Sequence, residues 1–299
     1  NTQPNGLANA SDGEPWLSLW SVGSYLFATA AAEQLNIISA DEFDERVSTA
    51  VFTLGQLPLN DKGLPAAYYH ADTLKILEQR DSFGYRLYAS HTLRLIDSAA
   101  GLAVTNPPEG QKMIDLDGVM VPDEGLRTPW GKQTSLISLP YLLTGLELGF
   151  DAQSAEIAWR IMQIQQRRHG LRAPKPPVST DYAEPAPDYV NDLPDRQPVQ
   201  ARNLRDEVPE KVAMTSTRTA FAWYALFRNS WSEALRQQVL PLQVPGKGWQ
   251  RGLNLNNSVN AVVDADTNAI VLESLSYIAH GQMLCLACLY TSPSAGATP

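Results

Sequence analysis

Only two cysteines occur in the 299 residues, and they sit three positions apart, as Cys285 and Cys288 in the run CLAC inside an apolar stretch. With no second pair and no βαβ context before them, a redox dithiol has little support. Two helix cysteines packed as small hydrophobes are the simpler reading. Histidine is as scarce: His70, His91, His169 and His280 show no HExxH or paired spacing, so no metal site is expected. Basic charge is in deficit, 23 Lys and Arg against 32 Asp and Glu, for a net charge of −9. Following a phosphate backbone needs clustered cations, which argues against nucleic acid as a partner. No apolar run reaches the roughly 18 residues that span a bilayer, and NTQPNGLANASDGEPW at the start lacks the regions of a signal peptide. GxSxG, P-loop and GxGxxG motifs are missing too. Serine hydrolysis, phosphoryl transfer and dinucleotide chemistry have no motif here, and no cofactor is expected.

What the chain does have is apolar content, 44% against 18% charged residues, enough to bury a large core in one large or two small domains. Periodicity separates two kinds of helical segment. Segments from Trp20, Phe83, Gln133, Ser216 and Thr267 are apolar nearly all round, as helices buried on every side must be. Those from Ala40, Asp151 and Ser230 are amphipathic and belong outside. Ser39 with Glu42, and Ser230 with Glu233, have the capping-box spacing at two of the outer starts.

An inner helix, a short turn and an outer helix, repeated, point to an all-α fold: an (α/α) toroid of about five to six helix pairs. Irregular intervals between the inner helices weigh against the alternative, a linear solenoid. Short hairpins are expected in QKMIDLDGVMVP from Gln111 and LNLNNSVNAVV from Leu253. The expected organisation is one domain over 1–290, holding a long proline-rich loop over 172–209, with a disordered tail over 291–299. That loop is too dense in proline for a helix or a central strand.

In a toroid, the loops entering the inner helices share one end of the ring. There the sequence places Asp12 and Trp16; Tyr68 and Tyr69; Arg127 and Trp130; Asp181, Glu184 and Tyr189; and Asp264, Asp266 and Asn268. Carboxylates interleaved with aromatic rings suit a sugar, whose C–H faces stack on rings while its hydroxyls donate to carboxylates. Cleaving a glycosidic bond takes one protonated and one ionised carboxyl group. Asp181 or Glu184 with Asp266 form the candidate pair. Asp12, Trp16, Tyr69, Arg127, Trp130, Tyr189, Asp264 and Asn268 are the candidate sugar contacts. Each has a plainer reading: Asp264 and Asp266 as helix caps, Asp12 as a turn residue, Tyr69 as packing. The spacing of Asp264, Asp266 and Asn268 copies the start of a calcium loop, but Ala269 and Leu275 occupy the required Gly and Glu positions.

The blocks NTQPNGLANASDGEPWLSLWSVGSYLFATAAAEQLNIISADEFDERV, LPAAYYHADT, STRTAFAWYALF with GKGWQRGL, and DADTNAIVLESLSYIAHG resemble a bacterial domain family of the DUF3131 type. Its members occur in envelope and exopolysaccharide-associated proteins, and it is similar to α/α-toroid glucanases and transglycosylases acting on β-1,2-glucan. The resemblance implies a periplasmic or exported location, a polysaccharide or oligosaccharide ligand, and other envelope polysaccharide machinery as partners. The chain departs from the pattern at Trp20-Ser21 (Trp-Asp expected), Ser179-Thr180-Asp181 (Ser-Glu-Asp expected) and Asp266-Thr267-Asn268 (Asn-Thr-Asn expected). The leading expectation is a glycoside hydrolase or transglycosylase. Its rivals are a glycan-binding or scaffold domain that cleaves nothing, a polysaccharide lyase using Tyr68, Tyr69, His70 and Arg86 or Arg127, and a purely structural helical module.

Overall fold

The computed structural model describes residues 2–81, 113–116, 118–122, 127–128, 131–132, 138–169, 189–190, 198–199, 214–254 and 256–284. The helix expected from Phe83, most of the proline-rich stretch, the two cysteines and the C-terminal tail lie outside these residues. Among the described residues seven helices follow in order: α1 (Leu19–Gln34), α2 (Ala40–Leu54), α3 (Leu139–Glu147), α4 (Ala152–His169), α5 (Thr217–Leu226), α6 (Ser230–Val239) and α7 (Ala265–His280).

Apolar content decides which helices go inside. In α5 the buried set includes Ala220, Phe221, Ala222, Trp223 and Ala225, with Trp223 wholly buried. The outer helix α2 buries only Ala50 and Thr53. Packing follows the same division. Helix α7 lies against both α1 and α5, and α5 lies against α3, so four inner helices form an arc in the order α1, α7, α5, α3. Helices α2, α6 and α4 back α1, α5 and α3 in turn. Among the described residues the first inner helix thus packs on the last, and Ser276 Oγ meets Gln34 Oε1 at 2.5 Å across that seam.

Helix ends are set by local chemistry. Ser18 and Ser21 cap α1 reciprocally, and Ser39 accepts from Glu42 N at the start of α2. At α6 the expected box moves by one residue. Asn229 is the cap and Ser232 completes the box, while Glu233 pairs with Arg236. The asparagine side chain accepts from two amides, Trp231 N and Ser232 N, and Ser230 becomes the first helical residue. Helix α7 stops at Gly281, whose φ of 88° is open to glycine, well before the apolar run ends. The chain beyond it serves α3: Met283 N and Leu284 N donate to Leu146 O and Glu147 O, two carbonyls the end of α3 leaves open.

The all-α expectation needs correction, because the strand content exceeds a few hairpins. β1 (Trp16–Leu17), β2 (Ala66–His70) and β3 (Ile76–Asp81) form an antiparallel sheet in that order. Tyr68 and Tyr69 therefore lie on a strand and not in a loop. A second sheet pairs Gly252–Asn254 with both Met214–Ser216 and Val259–Asn260. The two expected hairpins are present, Met113–Leu116 with Val119–Pro122 and Gly252–Asn254 with Val259–Asn260. No described helix is long and apolar enough to cross a membrane.

Candidate active site

Three inner helices bring their N-terminal parts to one place, and Asp266 sits there. It is the second residue of α7, part-buried, with Ser24 of α1 and Arg218 of α5 acting on it. Burial raises its pKa to about 6, and the neighbouring charge of Asp264 adds to the rise. Arg218, a hydrogen bond with Ser24, and Arg251 pull the other way. Its Oδ1 is buried with no hydrogen-bond partner among the described residues. A carboxyl group placed like this keeps its proton up to about pH 6, well above the range of an exposed aspartate, as suits an acid catalyst.

Asp264 and Asn268 have other work. Asp264 is the N-cap of α7, with Oδ1 accepting from Thr267 N at 2.6 Å and Oδ2 from Thr267 Oγ1 at 3.1 Å. Oδ2 also takes Arg251 Nε at 2.9 Å, and only 5% of the Asp264 side chain is exposed. Asn268 clamps a strand. Its Oδ1 accepts from Trp249 N at 2.7 Å, while Nδ2 donates to Trp249 O and Asp264 O, both at 3.0 Å. Gly248 makes the clamp feasible: a Cβ there would stand 2.1 Å from Asn268 Oδ1, and φ is 99°. Both residues, expected as sugar contacts, are thus engaged in holding the helix start and the neighbouring strand.

The N-terminal loop runs alongside. Ala265 N donates to Ala10 O at 2.8 Å and Asp12 N to Val263 O at 2.9 Å, which fixes Asp12 beside the head of α7. Asp12 Oδ2 pairs with Lys247 Nζ at 2.5 Å; both are solvated, so the pair adds little stability. Trp16 follows in β1. Its ring meets Tyr68 edge to face at 5.5 Å, and its Nε1 donates to Glu14 Oε2 at 3.0 Å.

The structure therefore gathers Asp12, Asp264, Asp266 and Asn268, with Trp16 nearby at the start of β1. Tyr69 does not join them. It is wholly buried, with its hydroxyl accepting from Ala66 N at 2.7 Å and donating to Pro58 O at 2.9 Å, so it is corrected to a core residue. Arg127 and Tyr189 belong to two-residue strands, Arg127–Thr128 and Tyr189–Val190. Asp181, Glu184 and Trp130 lie outside the described residues. Ser24, Arg218, Lys247 and Arg251 were not anticipated. Arg218 had a signal, as the one charged residue in STRTAFAWYALF; a serine inside an apolar run carries almost none. A shallow concavity of about 640 Å³ between residues 2–6 and α2, lined by Glu42, Glu45 and Arg46, contains none of the candidate residues. Among the described residues no cluster of three or more His, Cys, Asp or Glu is placed to hold a metal ion.

A family model for proteins of unknown function, DUF3131, matches residues 1–82 and 76–281. The chain belongs to this family. Among curated proteins no sequence matches the DUF3131 chain. Among solved structures it is similar to an endo-β-1,2-glucanase from Chitinophaga pinensis in complex with sophorotriose and glucose, at 10% identity and a TM-score of 0.56. That match covers 90% of this chain and 84% of the glucanase. A β-1,2-glucanase from Parabacteroides distasonis matches with a TM-score of 0.54 and 12% identity, over 97% of this chain and 55% of that one. A glucoamylase-like protein from Bacteroides fragilis matches with a TM-score of 0.53 and 10% identity, over 94% and 85%. At these identities the likeness concerns the fold. The DUF3131 domain has the fold of glucanase-like and glucoamylase-like glycoside hydrolases.

Proposed function

We propose that the domain is a glycan-active enzyme, a glycoside hydrolase or transglycosylase for which Asp266 supplies the acid, with its helix arc part of a closed (α/α) ring. The observation that carries this reading is the placement of Asp266, whose pKa of about 6 and unpartnered Oδ1 lie where three inner helices begin. A raised carboxyl group is the one that protonates the leaving oxygen, so the second, ionised carboxylate has to come from elsewhere. Asp181 and Glu184 are the candidates for it. Trp16 with Tyr68 offers an aromatic surface for a sugar ring. The glucan complex of the similar fold favours a neutral β-linked glucan as ligand, and the family resemblance favours an exported or periplasmic location beside polysaccharide machinery.

A second reading, a domain that binds glycan without cleaving it, has its own observation. Asp264 and Asn268 are committed to structure, and the Oδ1 of Asp266 exposes essentially no surface. Product release from a panel of β-1,2-glucan and bacterial exopolysaccharides separates the two. The wild type is expected to release oligosaccharides, with kcat/KM falling about tenfold per pH unit above about pH 6 as the acid loses its proton. Asp266→Asn and either Asp181→Asn or Glu184→Gln are expected to lose at least a hundredfold. Glycan binding without products from the wild type would replace the enzyme by the binder.

A further inference from the structure

Arg251 uses three parts of itself to join two helix ends. Its amide donates to Val262 O at 2.8 Å, its carbonyl accepts from Thr217 N at 2.9 Å, and its Nε donates to Asp264 Oδ2 at 2.9 Å. Thr217 opens α5, where Arg218 follows, and Asp264 caps α7, where Asp266 follows. One residue along, Gln250 O accepts from Thr217 Oγ1 at 2.7 Å, and Trp249 is held by Asn268. The segment Trp249-Gln250-Arg251 is therefore a strap between the N-termini of α5 and α7, and Asp266 sits between those termini.

The charges at this place are balanced. Ser24 faces Asp266 from α1, Arg218 from α5, Asp264 from the cap of its own helix, and Arg251 from the strap. Asp12 and Lys247 pair with each other on the adjoining loops. Asp264 is almost fully buried while 45% of the Arg251 side chain is exposed. A buried carboxylate stripped of its partner projects its charge through a poorly screened medium. Its nearest acidic neighbour in the chain is Asp266.

We infer that Arg251 is a positioning residue for Asp266: paired with Asp264, it offsets the charge of the cap carboxylate and ties together the two helix ends that hold Asp266. The inference rests on the reading of Asp266 as the acid of the site. Removing the guanidinium leaves Asp264 uncompensated, and Asp266 then holds its proton to higher pH. Neutralising Asp264 does the reverse, and neutralising both together cancels.

The test reads the proton on Asp266 directly, by carbon-13 NMR titration of aspartate carboxyl groups in the whole domain without any glycan. Loss of one signal in Asp266→Asn assigns it. Arg251→Met is expected to raise the midpoint of Asp266 by about one pH unit, Arg251→Lys to restore most of the wild-type value, Asp264→Asn to lower it, and the double variant Arg251→Met/Asp264→Asn to return close to wild type. An unmoved midpoint in a folded Arg251→Met, or a double variant displaced as far as Arg251→Met alone, overturns the inference. Should Arg251→Met fail to fold, a midpoint that Asp264→Asn leaves unmoved or raises overturns it equally. Glycan turnover is assayed separately, so loss of the enzyme reading does not alter what these midpoints show.

Discussion

At the scale of single residues the question is what distinguishes Asp266 from Asp264, two aspartates two positions apart in the same helix start. The sequence marks both, and marks Asn268 with them, because any of the three satisfies a cap. It cannot separate them, since the cap is chosen by where the backbone turns extended, at Asp264, and the acid by what surrounds the side chain, supplied from α1 and α5. The difference has a measurable consequence. A carboxyl group with a pKa of about 6 in the fold and about 3.9 in the unfolded chain binds more protons when folded. Protonated in both states, it costs the fold almost nothing below about pH 4; the cost grows as pH rises toward 6 and above that is a fixed roughly 1 to 3 kcal/mol. Asp266→Asn is therefore expected to raise the unfolding free energy at pH 8 by that amount and to gain almost nothing at pH 4. Urea unfolding at the two pH values checks this. Equal effects at both would mean that Asp266 is not held protonated.

At the scale of elements, helix identity was legible and element borders were less so. Apolar runs from Trp20 and Ser216 and amphipathic ones from Ala40, Asp151 and Ser230 all became helices within two residues of the expected start, because burial on all sides or on one face leaves its period in the sequence. The cap of α6 was misjudged by one residue, since Asn229 and Ser230 are both good caps and only geometry selects between them. The sheet of β1, β2 and β3 was missed because β1 is only two residues long and its pairing with β2 joins residues more than 50 positions apart, as in Trp16 with His70. The strap was invisible for the same reason, although GKGWQRGL stood out as a block. Its clamp is expected to matter energetically. Asn268→Ala removes three hydrogen bonds and leaves the amide and carbonyl of Trp249 unmatched, a cost of about 2 kcal/mol. Asp264→Ala loses a cap worth about 1 kcal/mol and also strands Arg251. Denaturant titration gives both numbers, and a loss under about 0.5 kcal/mol for Asn268→Ala would mean that the strap holds without its clamp.

At the scale of the molecule the arc of α1, α7, α5 and α3 makes the two ends of the chain a single unit. Local sequence could suggest inner and outer helices but not which inner helices touch, and the contact of the first with the last is the least local of them all. It makes a prediction about cooperativity. Helix α1 buries Leu19, Val22, Ala31 and Ala32, and α7 buries Ala269, Ile270 and Val271. At about 25 cal/mol per Å² of apolar surface, exposing either helix costs more than a local opening can recover. Gln34 and Ser276, 242 positions apart, close the seam with a hydrogen bond. Helix α2 differs, for it buries only two side chains and exposes Val51 and Phe52, so it can lift away while the arc stays whole. Native-state hydrogen exchange reads this as opening free energies. Amides in α1 and α7 are expected to share one value, the largest in the domain, with α2 opening several kcal/mol earlier. If α1 instead opened with α2 while α7 stayed protected, the seam would be a contact of the folded state that contributes little to its stability, and the N-terminal helices would form a separate layer resting on a core built by α3, α5 and α7.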